Sequence, residues 1–118
     1  MEDSSLITPF LLLSEEEATK KHETMPQKKE LTSLSSFFKM FGDHTRLRIL
    51  FYLGQGELCV GDLAALMDMT PSAVSHQLKL LKTTELVAFR RKGKTLFYSL
   101  ADRHVMDITK IGLEHIRE

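Results

Sequence analysis

Two short helical segments separated by only three residues constrain the fold of this chain more than any other feature of its sequence. Residues 60–67 carry apolar side chains at helical spacing, which predicts a short helix. Thr70 and Pro71 then predict a new helix start, because a threonine hydroxyl caps free backbone N–H groups and proline suits the first helical position. Two helices joined by so short a turn predict a helix-turn-helix.

Apolar periodicity and glycine breaks predict the elements on either side of this unit. Two helices should precede it, one over residues 30–41 and one capped by Asp43, because glycines follow each apolar run. Strands at residues 86–91 and 95–100 should follow as a hairpin, since β-branched and aromatic residues flank a central glycine. A last helix should span residues 103–118. The predicted fold is mainly α with a β-hairpin wing, in the order ααααββα.

The first 29 residues differ in pattern from the rest of the chain. They mix Ser, Thr, Glu, Lys and Pro without a sustained period, which predicts a mobile arm with a short helix near residues 12–23. We therefore expect an N-terminal arm over residues 1–29 and a winged helix-turn-helix domain, for DNA binding and dimerisation, over residues 30–118.

The charges are unevenly distributed, although 16 basic residues balance 16 acidic ones over 118 residues. Residues 70–100 carry six bases against Glu85, a net charge of +5, and residues 1–30 carry a net charge of −3. Because positive charge drives phosphate binding, the basic segment is the expected nucleic-acid surface. The neutral total therefore does not argue against DNA.

Composition also indicates where the chain works. Cys59 is the single cysteine, which excludes an internal disulfide and fits a reducing, cytoplasmic location. No apolar run approaches the roughly eighteen residues of a membrane span, so we expect no membrane partner.

Polar and basic side chains of the basic segment predict an interface with double-stranded DNA. The helix that begins at Thr70 and Pro71 has an apolar stripe on one side. Its opposite side carries short hydrogen-bonding groups near the helix N-terminus, which allow close approach to base edges in the major groove. The hairpin carries four cations suited to phosphate contacts. The candidate DNA-binding residues are Ser72, Ser75, His76, Lys79, Arg90, Arg91, Lys92 and Lys94.

Side chains that commonly bind metals lie at both ends of the last predicted helix. His104 and His115 are eleven residues apart, which is about 16 Å of helical rise and too far for one ion. Eleven steps of about 100° nevertheless return to the same face. Two antiparallel copies would bring Asp102 and His104 of one chain against His115 and Glu118 of the other. Two imidazoles and two carboxylates suit zinc or cobalt.

Three segments resemble the ArsR/SmtB family of bacterial metal-sensing repressors: GDHTRLRIL at 42–50, ELCVGDLA at 57–64 and SAVSHQLK at 72–79. The resemblance covers about residues 30–118. It implies a homodimer that pairs through the first and last helices of this domain. It also implies that the apo dimer binds operator DNA and is released by Zn(II), with Co(II) or Cd(II) as alternatives, at an inter-subunit site on the C-terminal helices. No organic cofactor is implied.

Cys59 is where the chain departs from some members of that family. Those relatives bind soft metals through a Cys-x-Cys pair, but residue 61 here is glycine. We interpret Cys59 as a small buried residue, and the alternative is a weak second metal site at His22, Cys59 and Asp62. An alternative function is a winged-helix regulator that senses a non-metal signal, such as redox state at Cys59. We expect no enzyme, because four protein ligands leave a zinc ion no open position for water.

Overall fold

The computed structural model describes residues 9–118. Its elements follow the predicted order ααααββα from the second helix onward, with a helix and a short strand in addition. They are α1 (Glu15–Thr24), α2 (Lys28–Phe41), α3 (His44–Leu53), β1 (Leu58–Cys59), α4 (Val60–Met67), α5 (Pro71–Thr83), β2 (Val87–Lys92), β3 (Thr95–Leu100) and α6 (Arg103–Arg117). Within the described range, none of these helices is long and apolar enough to cross a membrane.

The chain divides into two units, Met1–Ser33 and Leu34–Glu118. In the first unit, α1 begins with a capping box: the Ser14 hydroxyl accepts from the Glu17 N–H at 3.1 Å, and the Glu17 carboxylate accepts from the Ser14 N–H at 2.9 Å. The hydrogen bond from the Ser14 backbone N–H to the Glu17 carboxylate, followed by the nearby Ser14 side chain, holds the pKa of Glu17 below its usual value. A helix was expected near residues 12–23, and the cap explains why it begins at residue 15. Residues 1–8 of the expected arm lie outside the described range, and its mobility stays a prediction.

Helix α2 ends at Phe41, next to the glycine expected to break it. Asp43 caps α3 as predicted, because its carboxylate accepts from the Arg46 N–H at 3.0 Å. Phe41 is buried, but Leu34 and Phe38 on the same apolar stripe are 46% and 49% exposed. The stripe is therefore largely uncovered in a single protomer.

The helix-turn-helix forms where the sequence predicts it. Asp68 ends α4 with a left-handed backbone, φ 54°, and the Thr70 hydroxyl then caps α5 by accepting from the Ala73 N–H at 3.1 Å. The stripe predicted to be buried on α5 is fully enclosed, and its members are Val74, Leu78 and Leu81. The opposite side of α5 is left for solvent or a partner.

The wing is an antiparallel hairpin in which Lys92 pairs with Thr95. Gly93 occupies the turn with φ +65°, a conformation that glycine adopts without strain. The strand β1 pairs with the side of β3 that faces away from β2, giving a three-stranded sheet in the order β1-β3-β2. The sequence did not predict β1, because two residues show no periodicity.

Helix α6 follows β3 almost directly. Val105 and Thr109 are buried against the rest of the unit, while Ile111 and Ile116 are 66% and 79% exposed. Met106 packs so closely on Gly54, at the end of α3, that a Cβ there would lie 2.2 Å from Met106 Cε. One side of α6 is therefore fixed to α3 and the other is open.

Candidate DNA interface and metal site

The outer face of α5 presents the side chains predicted to read DNA. All four are exposed and lie opposite the buried stripe of the helix: Ser72, Ser75, His76 and Lys79. Two of them are serines in the first two turns, so the helix backbone can approach a base edge closely. The geometry suits insertion of the N-terminal half of α5 into a major groove.

Arg46 anchors α5 in a way that the sequence patterns did not reveal. Its Nε donates to the Met40 carbonyl oxygen at 3.0 Å, and its Nη1 donates to Gln77 Oε1 at 3.4 Å. One side chain therefore connects α2, α3 and α5. Arg48 acts similarly on the preceding helix, because its Nη2 donates to the Met67 carbonyl oxygen at 3.3 Å.

The four cations predicted on the wing differ in their surroundings. Arg91, Lys92 and Lys94 are exposed at or next to the tip of the hairpin. Arg90 instead forms an ion pair with Glu57, with Nε 3.0 Å from Oε2 and 3.2 Å from Oε1, and with Nη2 bonded to Oε1. The Arg90 guanidinium holds the pKa of the Glu57 carboxyl below its usual value, and the Glu57 carboxylate raises the pKa of Arg90.

Asp102 and His104 form the first pair of candidate metal ligands. Asp102 is the N-cap of α6 and has an extended backbone, so two side chains two residues apart can meet, which a regular helix would not allow. Asp102 Oδ1 lies 3.2 Å from His104 Nδ1. The predicted change from strand to helix at this position is thus confirmed.

His115 and Glu118 form the second pair at the other end of α6. His115 Nδ1 lies 3.8 Å from Glu118 Oε1, as expected for residues three apart. The imidazoles of His104 and His115 are 81% and 82% exposed, so both ring faces are accessible to a partner. Across residues 9–118 of one protomer, no three His, Cys, Asp or Glu side chains come together to hold a metal ion. Each end of α6 thus carries two candidate ligands of a type that suits half of a tetrahedral zinc site.

The residues of the alternative second metal site lie in both units. His22 belongs to α1 in the first unit. Cys59, the N-cap of α4, is half-buried rather than fully buried as expected, and Asp62 is exposed in the first turn of that helix. Cys59 lacks the enclosure of a core residue because it lies on the short edge strand β1. A metal site at these three residues stays a prediction.

A helix-turn-helix with an exposed polar helix and a basic hairpin defines the chain as a winged-helix protein. Residues 43–88 match the family described as "Bacterial regulatory protein, arsR family". Together with its relatives, this match shows that the chain belongs to the ArsR family of bacterial regulatory proteins. Proteins of this family are transcriptional regulators that bind DNA and are not enzymes.

The relatives give this assignment its detail. The chain is 46% identical over 85 residues to the transcriptional repressor SmtB homolog of Synechocystis sp., which covers 72% of this chain and 64% of that protein. It is 37% identical over 86 residues to the cadmium resistance transcriptional regulatory protein CadC homolog of Staphylococcus aureus, covering 72% and 71%. A homodimeric winged helix-turn-helix DNA-binding domain from Mycobacterium bovis matches with a TM-score of 0.72 and 28% identity, covering 80% of this chain and 89% of that domain.

Proposed function

We propose that this chain is a metal-responsive transcriptional repressor, which binds operator DNA as an apo homodimer and is released by Zn(II). The observation that carries the proposal is the arrangement of ligand pairs on α6. One exposed pair lies at each end of a single helix, and neither pair is sufficient alone. The names of two relatives, a transcriptional repressor and a cadmium resistance regulator, support both halves of the proposal.

The open side of α6 supports an inter-subunit site. Ile111 lies on the same helical face as His104 and His115, since each is separated from the others by close to whole turns of about 100° per residue. Its side chain is 66% exposed in one protomer, which suits packing on a second copy of α6. Antiparallel packing of two such helices puts Asp102 and His104 of one chain beside His115 and Glu118 of the other, and twofold symmetry makes two sites.

The exposed stripe of α2 extends this surface. Leu34 and Phe38 are each close to half exposed, which is unusual for large apolar side chains on one helix face. We infer that α2 and α6, the first and last helices of the winged-helix domain, form the dimer interface together.

The donor set favours zinc. Two imidazole nitrogens and two carboxylate oxygens suit Zn(II) or Co(II). Cd(II) prefers thiolate ligands, and the chain has a single cysteine, Cys59, so we expect Cd(II) to bind this site more weakly than Zn(II). The imidazoles must be neutral to bind, so metal affinity falls as the pH falls.

The DNA-bound state uses the two α5 helices of the dimer. They enter successive major grooves, which lie about 34 Å apart, while Arg91, Lys92 and Lys94 of each wing meet the phosphate backbone. Because α6 is packed on α3 and α3 is bonded to α5 through Arg46, a change in how two α6 helices pair alters the spacing of the two α5 helices. A difference in affinity between the two dimer geometries of roughly 1–3 kcal/mol is sufficient for regulation.

Fluorescence anisotropy tests the proposal, with a labelled duplex selected from a random library by the apo protein. We expect zinc to lower the affinity of the wild type for this duplex, and His104→Ala to bind the duplex equally well but not respond to zinc. His44→Ala is a matched control, because His44 is an exposed histidine outside both ligand pairs. Zinc-insensitive binding by the wild type, or full zinc response in His104→Ala, would contradict the proposal.

A further inference from the structure

Arg90 is held on two sides by the protein itself. Its Nε and Nη2 both donate to the Glu57 carboxylate, the fork-shaped geometry in which arginine binds a carboxylate most strongly. Its guanidinium also lies over the ring of Phe97, 5.2 Å from the ring centroid. A side chain held in this way has its carboxylate-binding edge occupied and its charge locally balanced.

The ion pair between Arg90 and Glu57 spans the full width of the sheet. Phe97 on β3 is the register partner of both Cys59 on β1 and Arg90 on β2. Arg90 therefore crosses the ring of the central strand to reach Glu57, which lies next to the opposite edge strand. The two outer strands are linked only through β3 by backbone pairing, and the ion pair adds a direct link between them.

This link connects the wing to the helix-turn-helix. Glu57 is followed directly by β1, and β1 leads without a loop into α4, the first helix of that unit. A two-stranded hairpin alone is marginally stable and twists easily, so an additional anchor determines which way its tip points. Lys82 over the ring of Phe89, 5.4 Å from its centroid, anchors the other face of β2 to α5.

We propose that Arg90 is a positioning residue that fixes the orientation of the wing through Glu57 and Phe97, and that it donates no hydrogen bond to DNA. The proposal rests on the DNA-binding function proposed above. It removes Arg90 from the predicted DNA contacts, and it assigns the phosphate-binding charge of the wing to Arg91, Lys92 and Lys94.

Salt dependence of duplex binding separates positioning from contact. Affinity falls as salt rises, and each phosphate contact that is lost reduces the magnitude of the slope of log affinity against log salt by about 0.9. With the selected duplex, Lys94→Gln should reduce the magnitude of the slope by that amount. Arg90→Gln should leave the slope unchanged and lower the affinity roughly threefold to fivefold, the range for an exposed ion pair of good geometry. Arg90→Lys keeps the charge but not the fork, so it should behave like Arg90→Gln.

Two results would overturn the proposal. One is a salt slope for Arg90→Gln whose magnitude is reduced as much as for Lys94→Gln, and the other is an Arg90→Lys protein that binds like the wild type. Thermal melting of each variant confirms folding, and the conservative lysine variant provides a test if the glutamine variant does not fold.

A measurement without DNA separates this proposal from the proposed function. Amide hydrogen exchange of the wing, residues 87–100, should be faster in Glu57→Gln and in Arg90→Lys than in the wild type, while exchange in the buried part of α5 stays unchanged. Unchanged wing exchange in both variants would contradict the positioning role even if the protein binds DNA. Faster exchange in a protein that binds no duplex would leave the link to the wing intact and contradict the repressor function.

Discussion

Asp102 Oδ1 accepts a hydrogen bond from the backbone N–H of His104 at 2.9 Å and lies 3.2 Å from the Nδ1 atom of the same histidine. One carboxylate oxygen therefore both begins α6 and holds the first imidazole of the proposed metal site. The helix cap needs an oxygen acceptor, whereas the metal site needs a charged carboxylate. Substitutions at this position can separate the two roles.

Asp102→Asn should keep the cap and lose the metal ligand. Asparagine caps helices about as well as aspartate, so the free energy of unfolding should stay close to that of the wild type, while zinc affinity falls tenfold or more, on the order expected for a lost carboxylate ligand. Asp102→Ala should lose both roles and cost about 1 kcal/mol of stability in addition. Urea unfolding and a zinc competition assay check the pair, and equal stability of the two variants would show that the cap is unimportant.

Burial predicts a large contrast between two leucines of α5. Leu78 is fully buried on the side of α5 opposite its outer, polar face, so Leu78→Ala should lower the free energy of unfolding by about 2–5 kcal/mol. Leu80 is 39% exposed, and Leu80→Ala should cost well under half of that. Denaturant unfolding of both proteins measures the difference. A cost for Leu80→Ala equal to that for Leu78→Ala would mean that the solvent-facing side of α5 is covered in the folded protein.

Two glycines should respond oppositely to alanine. Gly93 has φ +65° in the wing turn, so Gly93→Ala forces an alanine into a left-handed conformation and should destabilise the protein by about 1 kcal/mol. Gly61 lies in α4, where an added Cβ would meet no other atom within 4 Å, and Gly61→Ala should stabilise by up to about 0.5 kcal/mol through helix propensity. Thermal melts compare the two. Stabilisation by Gly93→Ala would be incompatible with the observed turn.

The Glu57–Arg90 pair should make part of the stability depend on pH. The pKa of Glu57 lies below its ordinary value of 4.5 in the folded protein, so its contribution is present above that value and is lost as the pH falls through the folded pKa. The Tm difference between wild type and Glu57→Gln should therefore be constant near neutral pH and shrink under acid conditions. The difference should be small, because both side chains are partly exposed. A gap that widens in acid would reverse the sign of this linkage.

Local signals explain which parts of this fold were predictable. The bounds of α4 and α5 follow from apolar spacing and from the Thr70 cap, all within a few residues of the helix they define. The strand β1 has no such signal, because its two residues become a strand only by pairing with β3. Apolar periodicity correctly predicts which face of α2 is apolar, but most of that face is exposed in a single protomer. Periodicity identifies an apolar face and does not show what covers it.

The candidate sites also differ in whether sequence patterns predict them. The members of each candidate ligand pair on α6 are close in sequence, so spacing alone predicts Asp102 beside His104 and His115 beside Glu118. Glu57 and Arg90 are 33 residues apart, and no pattern in the sequence links them. The sequence therefore does not distinguish Arg90 from Arg91, and the difference becomes visible only in the folded sheet, where Arg90 lies over Phe97.

Mixing two inactive variants tests the inter-subunit zinc site most directly. His104→Ala and His115→Ala each lack a ligand in both sites of their own dimers. After subunit exchange, about half of the dimers are mixed, and each mixed dimer rebuilds one complete site of two. The mixture should therefore recover about a quarter of the wild-type zinc capacity in a competition assay. A mixture that binds no more zinc than the separate variants would contradict a site shared between subunits.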